Sequence, residues 1–220
     1  MELTLAEGVL LLALDDARGS TGSTPVDPGL AGALLVDLGR FGALQPEGKA
    51  LHPVDGAAIE HPVLARAYTA IATSSKPRSA KAWVGRLPRE LKPLIGTVAG
   101  PLVERGAVAE QRVKVLGLFP STRFPEVDPG PERALRSRLR EVLLGTRVPQ
   151  EYDALLLGLL DPLGLVDPLV ERPHRREARK HAKEIADRGI AGKAVSDAVR
   201  DIHAAVATAV IVPVIVSSGG

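Results

Sequence analysis

The sequence predicts a mainly α-helical protein, a single-domain helical bundle with one or two short β-hairpins. Apolar residues recur at helical spacing through most of the 220 residues, which is the main sequence sign of amphipathic helices. Strict alternation of apolar and polar residues is confined to short stretches, which predicts hairpins and no large sheet. Glycine and proline interrupt the pattern only briefly, so no linker separates two domains and we assign residues 1–220 to one domain.

The composition excludes several functional classes. The chain has no Cys, which removes disulfides, cysteine nucleophiles and Cys-ligated metal centres, and which fits a reducing compartment. Its 28 Lys and Arg against 26 Asp and Glu give a net charge of only +2. A protein this close to neutrality is not a general polyelectrolyte for nucleic acid, so any anion-binding role requires local basic patches.

The first half of the chain is predicted to contain helices around one hairpin. A capping box formed by Thr4 and Glu7 precedes an almost wholly apolar run, which is typical of a core helix. Asp27 and Pro28 begin a second helix, and Gly42 ends it. The remaining elements are a loop over 17–29, a hairpin over 43–54, a helix over 61–74, a short helix around Trp83, and a helix over 87–105 that Pro93 and Pro101 kink or divide.

The second half begins with another predicted hairpin, over 107–119. Within it Val113 and Val115 alternate with Arg112 and Lys114, the spacing of a half-buried strand. The remaining elements are a helix that opens at Asp128 and Pro129 and runs through Leu143, a buried helix over 155–160, a charged helix over 167–188 and a closing apolar helix over 194–210.

No stretch of the sequence predicts secretion or membrane crossing. The first residues lack the basic region of a signal peptide, and Glu7 lies within the apolar run that follows. The longest uncharged run, 204–220, contains Pro213 and loses its apolar character after Val216, short of the roughly 17–25 residues that span a bilayer. We expect a soluble, cytoplasmic protein whose tail forms a buried closing helix and then an extended segment.

Two stretches share a pattern of helix, glycine and strand, LGRFGAL at 38–44 and LVERGAV at 102–108. A helix followed by a hairpin is how a winged-helix unit ends, which keeps a nucleic-acid-binding protein as one interpretation. The alternative is local, because glycine is the usual residue just past a helix C-terminus.

Stretches in a conserved order resemble the Golgi phosphoprotein 3 family. The opening LTLAEGVLLLALD (3–15) is similar to the first helix of that family, GLAGALLVDL (29–38) to its second, LVERGAV (102–108) to the segment before its hairpin, and 202–210 to its closing helix. Because these stretches occur together and in this order, the chain is identified as a member of the family, similar to its shorter bacterial relatives.

The resemblance implies a central helical bundle wrapped by amphipathic helices, with a protruding hairpin. It also implies a non-enzymatic peripheral adaptor that binds phosphatidylinositol 4-phosphate, here at the inner membrane surface. Eukaryotic members hold protein tails as well, so such tails are a second class of partner. The family hairpin contacts membranes and other subunits, which implies contact roles for Val115, Leu116 and Leu118 and a homo-oligomer. The alternative is that one face of the hairpin packs on the core of the same chain, which the alternation with Arg112 and Lys114 also fits. A plain oligomeric scaffold is a third interpretation.

The family's head-group residues are mostly replaced in this chain. An ungapped match places three of its arginine-rich positions at Lys92, Ile95 and Thr97, and the arginine of its second helix at Ala31. Only Lys92 is basic, and the loop over 19–29 lacks the family tryptophan. A phosphate monoester is bound by several converging cations, so other basic residues must contribute.

The densest basic cluster lies on the predicted charged helix. At helical spacing Arg172, Arg176, Arg179, Lys180 and Lys183 can share one face, which suits anionic head groups. The predicted lipid-binding set consists of Arg172, Arg176, Arg179 and Lys183 from this face, together with Lys92 and Arg89. The alternative is a solvated helix whose basic residues pair with nearby glutamates.

The sequence carries no recognisable catalytic motif. It has no GxSxG, no HExxH and no dinucleotide-binding fingerprint, so we predict neither an enzyme nor a cofactor. His174, Glu177, His181 and Glu184 share one helical stripe and form a candidate metal site. Six basic residues on the same predicted helix oppose a metal ion, so we predict a polar face and no metal.

Overall fold

The computed structural model describes residues 3–15, 17–115, 118–188 and 193–216. Within them the chain is mainly α-helical and forms a single domain, as the sequence predicts. The helices are α1 (Leu5–Ala13), α2 (Val26–Arg40), α3 (Pro62–Ala72), α4 (Ala80–Glu90), α5 (Leu94–Glu104), α6 (Gly130–Leu143), α7 (Glu151–Leu160), α8 (Arg175–Arg188) and α9 (Lys193–Val216).

Both predicted hairpins are present. β1 (Leu44–Glu47) and β2 (Ala50–Pro53) pair antiparallel, and the two-residue strand β3 (Arg78–Ser79) adds to β2 to give the order β1-β2-β3. The second hairpin, β4 (Gln111–Val115) with β5 (Phe119–Arg123), begins four residues later than predicted. The preceding residues make only a single bridge, between Val108 and Glu126.

The centre of the bundle is built by α1, α2 and α7. Every residue of α1 is buried, because the helix is apolar on all sides and packs against α2, α5, α6 and α7. Helix α2 also contacts α4 and α9. The core is aliphatic apart from Trp83 of α4, which is fully buried, and Phe124.

Prolines divide the helices at only some of the predicted places. The predicted helix over 87–105 ends in α4 and restarts as α5 after Pro93, whereas Pro101 lies inside α5 without ending it. Helix α2 begins at Val26, one residue before the predicted Asp27 cap.

The predicted charged helix is shorter than expected. Two 3-10 turns, Asp167–Leu169 and Arg172–His174, precede α8, which begins only at Arg175. Each turn carries a proline in its first positions. At the start of a helix the missing N–H of proline costs nothing, but inside a continuous helix it would remove a backbone hydrogen bond. Arg172 therefore lies outside α8. The closing helix is longer than predicted. Helix α9 continues through Pro213 to Val216, where the sequence predicts an extended segment.

Candidate functional site

The basic residues of α8 are turned outward by the packing of its apolar face. Ala178, Ala182 and Ile185 are buried, and α8 packs against α7. Arg176, Arg179 and Lys183 of the predicted lipid-binding set are exposed, as is Arg172 in the preceding 3-10 turn. We call these four residues the α8 basic surface.

The α8 basic surface is only partly neutralised by neighbouring acids. Arg179 Nε lies 3.3 Å from Asp167 Oδ1. Burial raises the pKa of Asp161, while Arg179 and Lys183 act in the opposite direction, so both cations lie near that carboxyl. Arg172 and Arg176 have no ion-pair or hydrogen-bond partner within the described part of the chain.

Of the glutamates expected to neutralise this surface, Glu171 pairs with another helix, whereas Glu184 pairs within α8. Glu171 pairs with Arg140 of α6 at 2.7 Å, and Glu184 lies 3.8 Å from Lys180. The structure therefore leaves exposed positive charge on α8, as an anion-binding surface requires.

Arg89 and Lys92 form a second, separate basic group. Arg89 lies in the last turn of α4 and Lys92 in the connection to α5, and both side chains are exposed. Helix α4 packs against α2 and α9, whereas α8 packs against α7 and α6. No hydrogen bond or ion pair joins the two groups among the described residues, so the structure does not merge them into one cluster.

Arg66 of α3 contacts the start of α5, although the family match did not point to it. Thr97 Oγ1 donates to the Leu91 carbonyl at 2.9 Å and accepts from Arg66 Nη1 of α3 at 3.3 Å. An exposed arginine thus reaches the position where the family match expects a basic residue. Ala31, the other replaced position, is fully buried, so this chain has no room for a long cation there.

Two segments that carry further arginines pack near the same end of α5. A Cβ atom added to Gly96 would lie 3.8 Å from Phe124 Cζ, and the Phe124 N–H donates to the Gly19 carbonyl at 2.8 Å. Next to these residues, Arg123 Nη1 donates to the Arg18 carbonyl at 3.4 Å. The basic residues placed at the start of α5 itself are Arg66, which reaches Thr97, and Lys92, which directly precedes Pro93 and the helix. We call these two residues the α5 basic group.

The tip of the second hairpin exposes one apolar side chain that the structure places. Leu118 is 79% exposed, as a membrane or subunit contact requires. Arg112 and Lys114 on β4 are exposed and Val113 between them is half-buried, which matches the predicted alternation. The other predicted contacts, Leu116 and the side chain of Val115, lie outside the described residues.

A buried carboxylate in α1 is surrounded by partners from distant segments. Glu7 is 1% exposed and accepts hydrogen bonds from the Thr4 N–H at 3.0 Å, from His61 Nε2 at 3.1 Å and from Arg105 Nη2 at 2.5 Å. Burial alone would raise the pKa of Glu7, but the bonds from His61, Thr4 and Arg105 outweigh it and lower that pKa. In the sequence, Glu7 is recognisable only as half of a capping box.

A second buried carboxylate ties α2 to the start of α1. Asp37 is fully buried and accepts from the N–H groups of Leu5 and Ala6, both at 3.2 Å. Arg40 Nη1 lies 3.6 Å from Asp37 Oδ1. Burial raises the pKa of Asp37 to about 7 despite these partners. An aspartate inside the apolar stretch of α2 is the sequence signal that could have revealed this site.

Tyr152 of α7 lies between two arginines beside this network. Arg40 and Arg138 place their guanidinium carbons 5.8 and 5.5 Å from the ring centroid, within cation–π range. The Tyr152 hydroxyl donates to the Thr4 carbonyl at 3.3 Å, and Arg138 Nε lies 2.6 Å from Asp153 Oδ1. The buried polar network therefore joins α1, α2, α6 and α7 and stabilises the bundle that carries the basic surfaces.

The candidate metal stripe is divided between a turn and a helix. His174 lies in a 3-10 turn, while His181 of α8 bonds through Nδ1 to the Leu143 carbonyl at 3.1 Å. Across the described segments, no group of three or more acidic, histidine or cysteine side chains is arranged to hold a metal ion. Nor does any helix of these segments combine the length and hydropathy needed to cross a bilayer.

Comparison with known proteins agrees with this architecture. No curated protein matches the chain in a sequence search. The family model described as Golgi phosphoprotein 3 matches residues 5–202, which span α1 to the middle of α9 and include both hairpins and the buried polar network. The chain belongs to the Golgi phosphoprotein 3 family.

Proposed function

We propose that the protein is a non-enzymatic peripheral adaptor that binds anionic, phosphoinositide-type lipid head groups on the cytoplasmic side of a membrane. Family membership supports an adaptor role in general. The observation that carries the lipid proposal is the α8 basic surface, where Arg172 and Arg176 are exposed and have no partner within the described part of the chain. Exposed cations of this kind attract an anionic membrane by about 1 kcal/mol per basic residue near the surface.

The two basic regions have different roles in this proposal. The α8 basic surface supplies general attraction, because three of its cations lie along α8 and Arg172 lies in the turn before it, and no shared partner brings the four together. The α5 basic group supplies head-group selectivity, since Lys92 and Arg66 approach one helix start from separate segments. Convergent arginines recognise a phosphate monoester better than scattered ones. Phosphatidylinositol 4-phosphate is the head group that the family resemblance favours.

The hairpin supplies the apolar part of the contact. Leu118, which is 79% exposed, enters the bilayer interface or packs against a second copy of the chain. Basic residues on the same strand pair, Arg112 and Lys114, are exposed and add attraction to the same anionic surface. Protein tails held by the membrane-bound adaptor are its second class of partner.

Vesicle flotation tests the α8 contribution. The full chain is mixed with vesicles of phosphatidylcholine alone, with phosphatidylserine, or with phosphatidylinositol 4-phosphate. We expect the double variant Arg176→Glu/Arg179→Glu to lose most of its binding to both anionic vesicles, and we expect that binding in the wild type to weaken with added salt. Lys49→Glu/Lys81→Glu has the same change in charge at exposed positions outside α8 and should bind normally. Equal flotation of the two double variants would exclude this role for α8.

The alternative interpretations predict different results for the wild type. A winged-helix nucleic-acid-binding protein would shift duplex DNA with a steep salt dependence and would not float. An oligomeric scaffold would sediment as an assembly and bind neither vesicles nor DNA. Flotation, gel shift and sedimentation on one preparation therefore separate the three.

A further inference from the structure

A cavity of about 440 Å³ lies between α7, α8 and α9. This volume falls in the range of about 300–1,000 Å³ typical of small-molecule sites. Its two sides are held in place separately, because α8 packs against α7 whereas α9 packs mainly against α2 and α4. The space between them exists because the facing helices carry small side chains where larger ones would fill it. These residues include Ala154, Gly158, Ala182, Ala186, Ala204 and Ala207.

The cavity follows α7 along its whole length. Its lining includes Glu151, the first residue of α7, and Asp161, the residue just past the last turn. At 1.5 Å per residue these two positions lie about 15 Å apart along the helix axis. An extended aliphatic chain therefore matches the cavity along its length.

His203 of α9 contributes an aromatic wall but no hydrogen bond to a ligand. Its ring covers the backbone of α7, since a Cβ atom added to Gly158 would lie 2.2 Å from His203 Cε1, and its Nε2 is buried. Burial lowers the pKa of His203 to about 4, although a hydrogen bond to the Leu155 backbone and the charge of Asp187 act in the opposite direction. The ring is therefore neutral at physiological pH and adds no positive charge to the cavity.

The charges beside the C-terminal end of α7 compensate one another. Burial raises the pKa of Asp161, while Arg179 and Lys183 act in the opposite direction. Arg179 Nε also lies 3.3 Å from Asp167 Oδ1. Two cations thus face two carboxylates at this end, which leaves no excess charge to attract an ionic ligand.

Two carboxylates of the lining lie toward the other end of the cavity. Glu151 precedes Leu155 by about one helical turn, and Asp187 acts on His203, whose ring bonds to the Leu155 backbone. Glu151 and Asp187 are exposed and have no ion-pair or hydrogen-bond partner within the described part of the chain. They therefore leave negative charge at this end of an otherwise apolar space.

The basic residue of the lining nearest to this end does not cancel that charge. Arg200 precedes His203 on α9 by about one turn and lies 3.4 Å, from Nη1 to Oδ1, from Asp197, which is outside the lining. The charge of Arg200 is thus balanced by a third carboxylate. A cationic group placed at this end gains attraction, whereas an anionic group is repelled.

We propose that this cavity binds a linear aliphatic amine in its ammonium form. The alkyl chain lies along the alanine-lined walls, and the ammonium group lies beside Glu151 and Asp187. Burial of the chain supplies most of the affinity, and the two carboxylates select the charge of the head. This site does not depend on the proposed lipid function, because it requires a cationic ligand whereas the α8 basic surface requires an anionic one.

Titration with three ligands of equal chain length tests the proposal on the full chain. Octylammonium, 1-octanol and octanoate differ only in the charge of the head group. Calorimetry measures each affinity, and the methyl signals of Ala154, Ala182 and Ala186 in NMR report the location. We expect octylammonium to bind and to shift these signals, 1-octanol to bind severalfold more weakly, and octanoate to bind most weakly. Added salt should reduce the advantage of octylammonium over 1-octanol.

Two substitutions that change charge and almost no shape test the role of the carboxylates. Glu151→Gln and Asp187→Asn should each weaken octylammonium binding by about threefold, the size of an exposed ion pair, and should leave 1-octanol binding unchanged. Asp55→Asn removes the same charge at an exposed position outside the cavity and should bind octylammonium normally.

A pair of alanine variants tests the location separately. Ala186→Leu fills the cavity without changing its charge and should abolish the binding of octylammonium and of 1-octanol. Ala82→Leu makes the same substitution at an exposed position of α4 and should leave both unchanged. The proposal is wrong if octylammonium leaves the alanine signals unmoved, if octanoate binds equally well, or if Glu151→Gln and Asp187→Asn both bind octylammonium like the wild type. None of these outcomes bears on vesicle flotation.

Discussion

Glu7 and Arg105 lie 98 positions apart in the sequence and form an ion pair at 2.5 Å in the structure. Only 1% of the Glu7 side chain is exposed, against 30% for Arg105. The pair joins the first helix to the residue that caps the C-terminal end of α5, the end opposite the α5 basic group. The ion pair thereby fixes this end of α5 to α1.

Loss of the Arg105 side chain should destabilise the fold strongly. Arg105→Ala leaves Glu7 buried with His61 and the Thr4 N–H as its remaining partners, and loss of one partner of a buried charged acceptor costs about 1–3 kcal/mol. Urea unfolding measures the change in the free energy of unfolding. Arg112→Ala removes an arginine that is 90% exposed and should change that free energy by less than about 0.5 kcal/mol. Similar values for the two variants would contradict a structural role for the Glu7–Arg105 pair.

The buried Asp37 should make stability depend on pH. Its pKa is about 7 in the folded chain against an ordinary value of 3.8, so between these values the folded state binds more protons than the unfolded state. The free energy of unfolding contributed by Asp37 therefore falls as pH rises from about 4 to about 7, on the order of a few kcal/mol, and is constant above that.

Asp37→Asn isolates this effect, because asparagine does not titrate. The stability of the wild type minus that of Asp37→Asn should decrease from pH 4 to pH 7 in urea unfolding series. Glu7, whose pKa is lowered, acts with the opposite sign: its contribution is present above about pH 4.5 and is lost as pH falls. Glu7 is present in both proteins, so its contribution to the free energy of unfolding cancels to first order in the difference. A difference that does not vary with pH would show that Asp37 titrates normally.

Gly158 is required by the contact with His203. In Gly158→Ala the new methyl group would overlap the imidazole, and overpacking of this kind costs about 1–3 kcal/mol. Gly85→Ala, at an exposed position of α4 with no atom within 4 Å of the added Cβ, should instead stabilise the protein by about 0.5–1 kcal/mol. Thermal unfolding of both variants checks these opposite signs. Addition of His203→Ala should recover part of the Gly158→Ala loss, since the two sites are coupled.

The α5 basic group should determine head-group preference more than total membrane binding. Lys92→Ala and Arg66→Ala should each reduce flotation with phosphatidylinositol 4-phosphate vesicles severalfold, because each removes one of the converging cations. Flotation with phosphatidylserine vesicles should change little, since the α8 basic surface is intact. Lys81→Ala, on the exposed side of α4, serves as the control. An equal loss on both vesicle types would assign Lys92 and Arg66 to general attraction only.

The hairpin tip should contribute through Leu118. Leu118→Asp places a charge where the proposal requires an apolar contact, and should reduce vesicle binding, self-association in sedimentation velocity, or both. Val148→Asp is a matched control, because Val148 is 84% exposed and lies outside the hairpin. If Leu118→Asp behaves like Val148→Asp in both measurements, the hairpin tip is not a contact.

The helical elements were predictable because their signals are local. The Thr4 and Glu7 capping box forms as expected, the predicted Gly42 stop is a positive-φ residue just past α2, and both hairpins are found near their predicted places. The prediction that Arg172 lies on the charged helix was wrong. Periodicity reports which residues share a face but did not show that the two prolines produce 3-10 turns before α8 begins. The basic residues of α8 were also visible in the sequence, because Arg176, Arg179 and Lys183 lie within two turns of one helix.

The sequence by itself determined the helical class, the two hairpins and membership of the Golgi phosphoprotein 3 family, because periodicity, caps and motif order are properties of neighbouring residues. The tertiary structure alone decided which distant groups meet. It brought Arg66 to Thr97, Arg105 to Glu7 and His203 onto Gly158. Such contacts depend on how helices pack across the core. That packing, and not the position along the chain, determines the burial and the partners of a side chain, and these in turn determine its pKa.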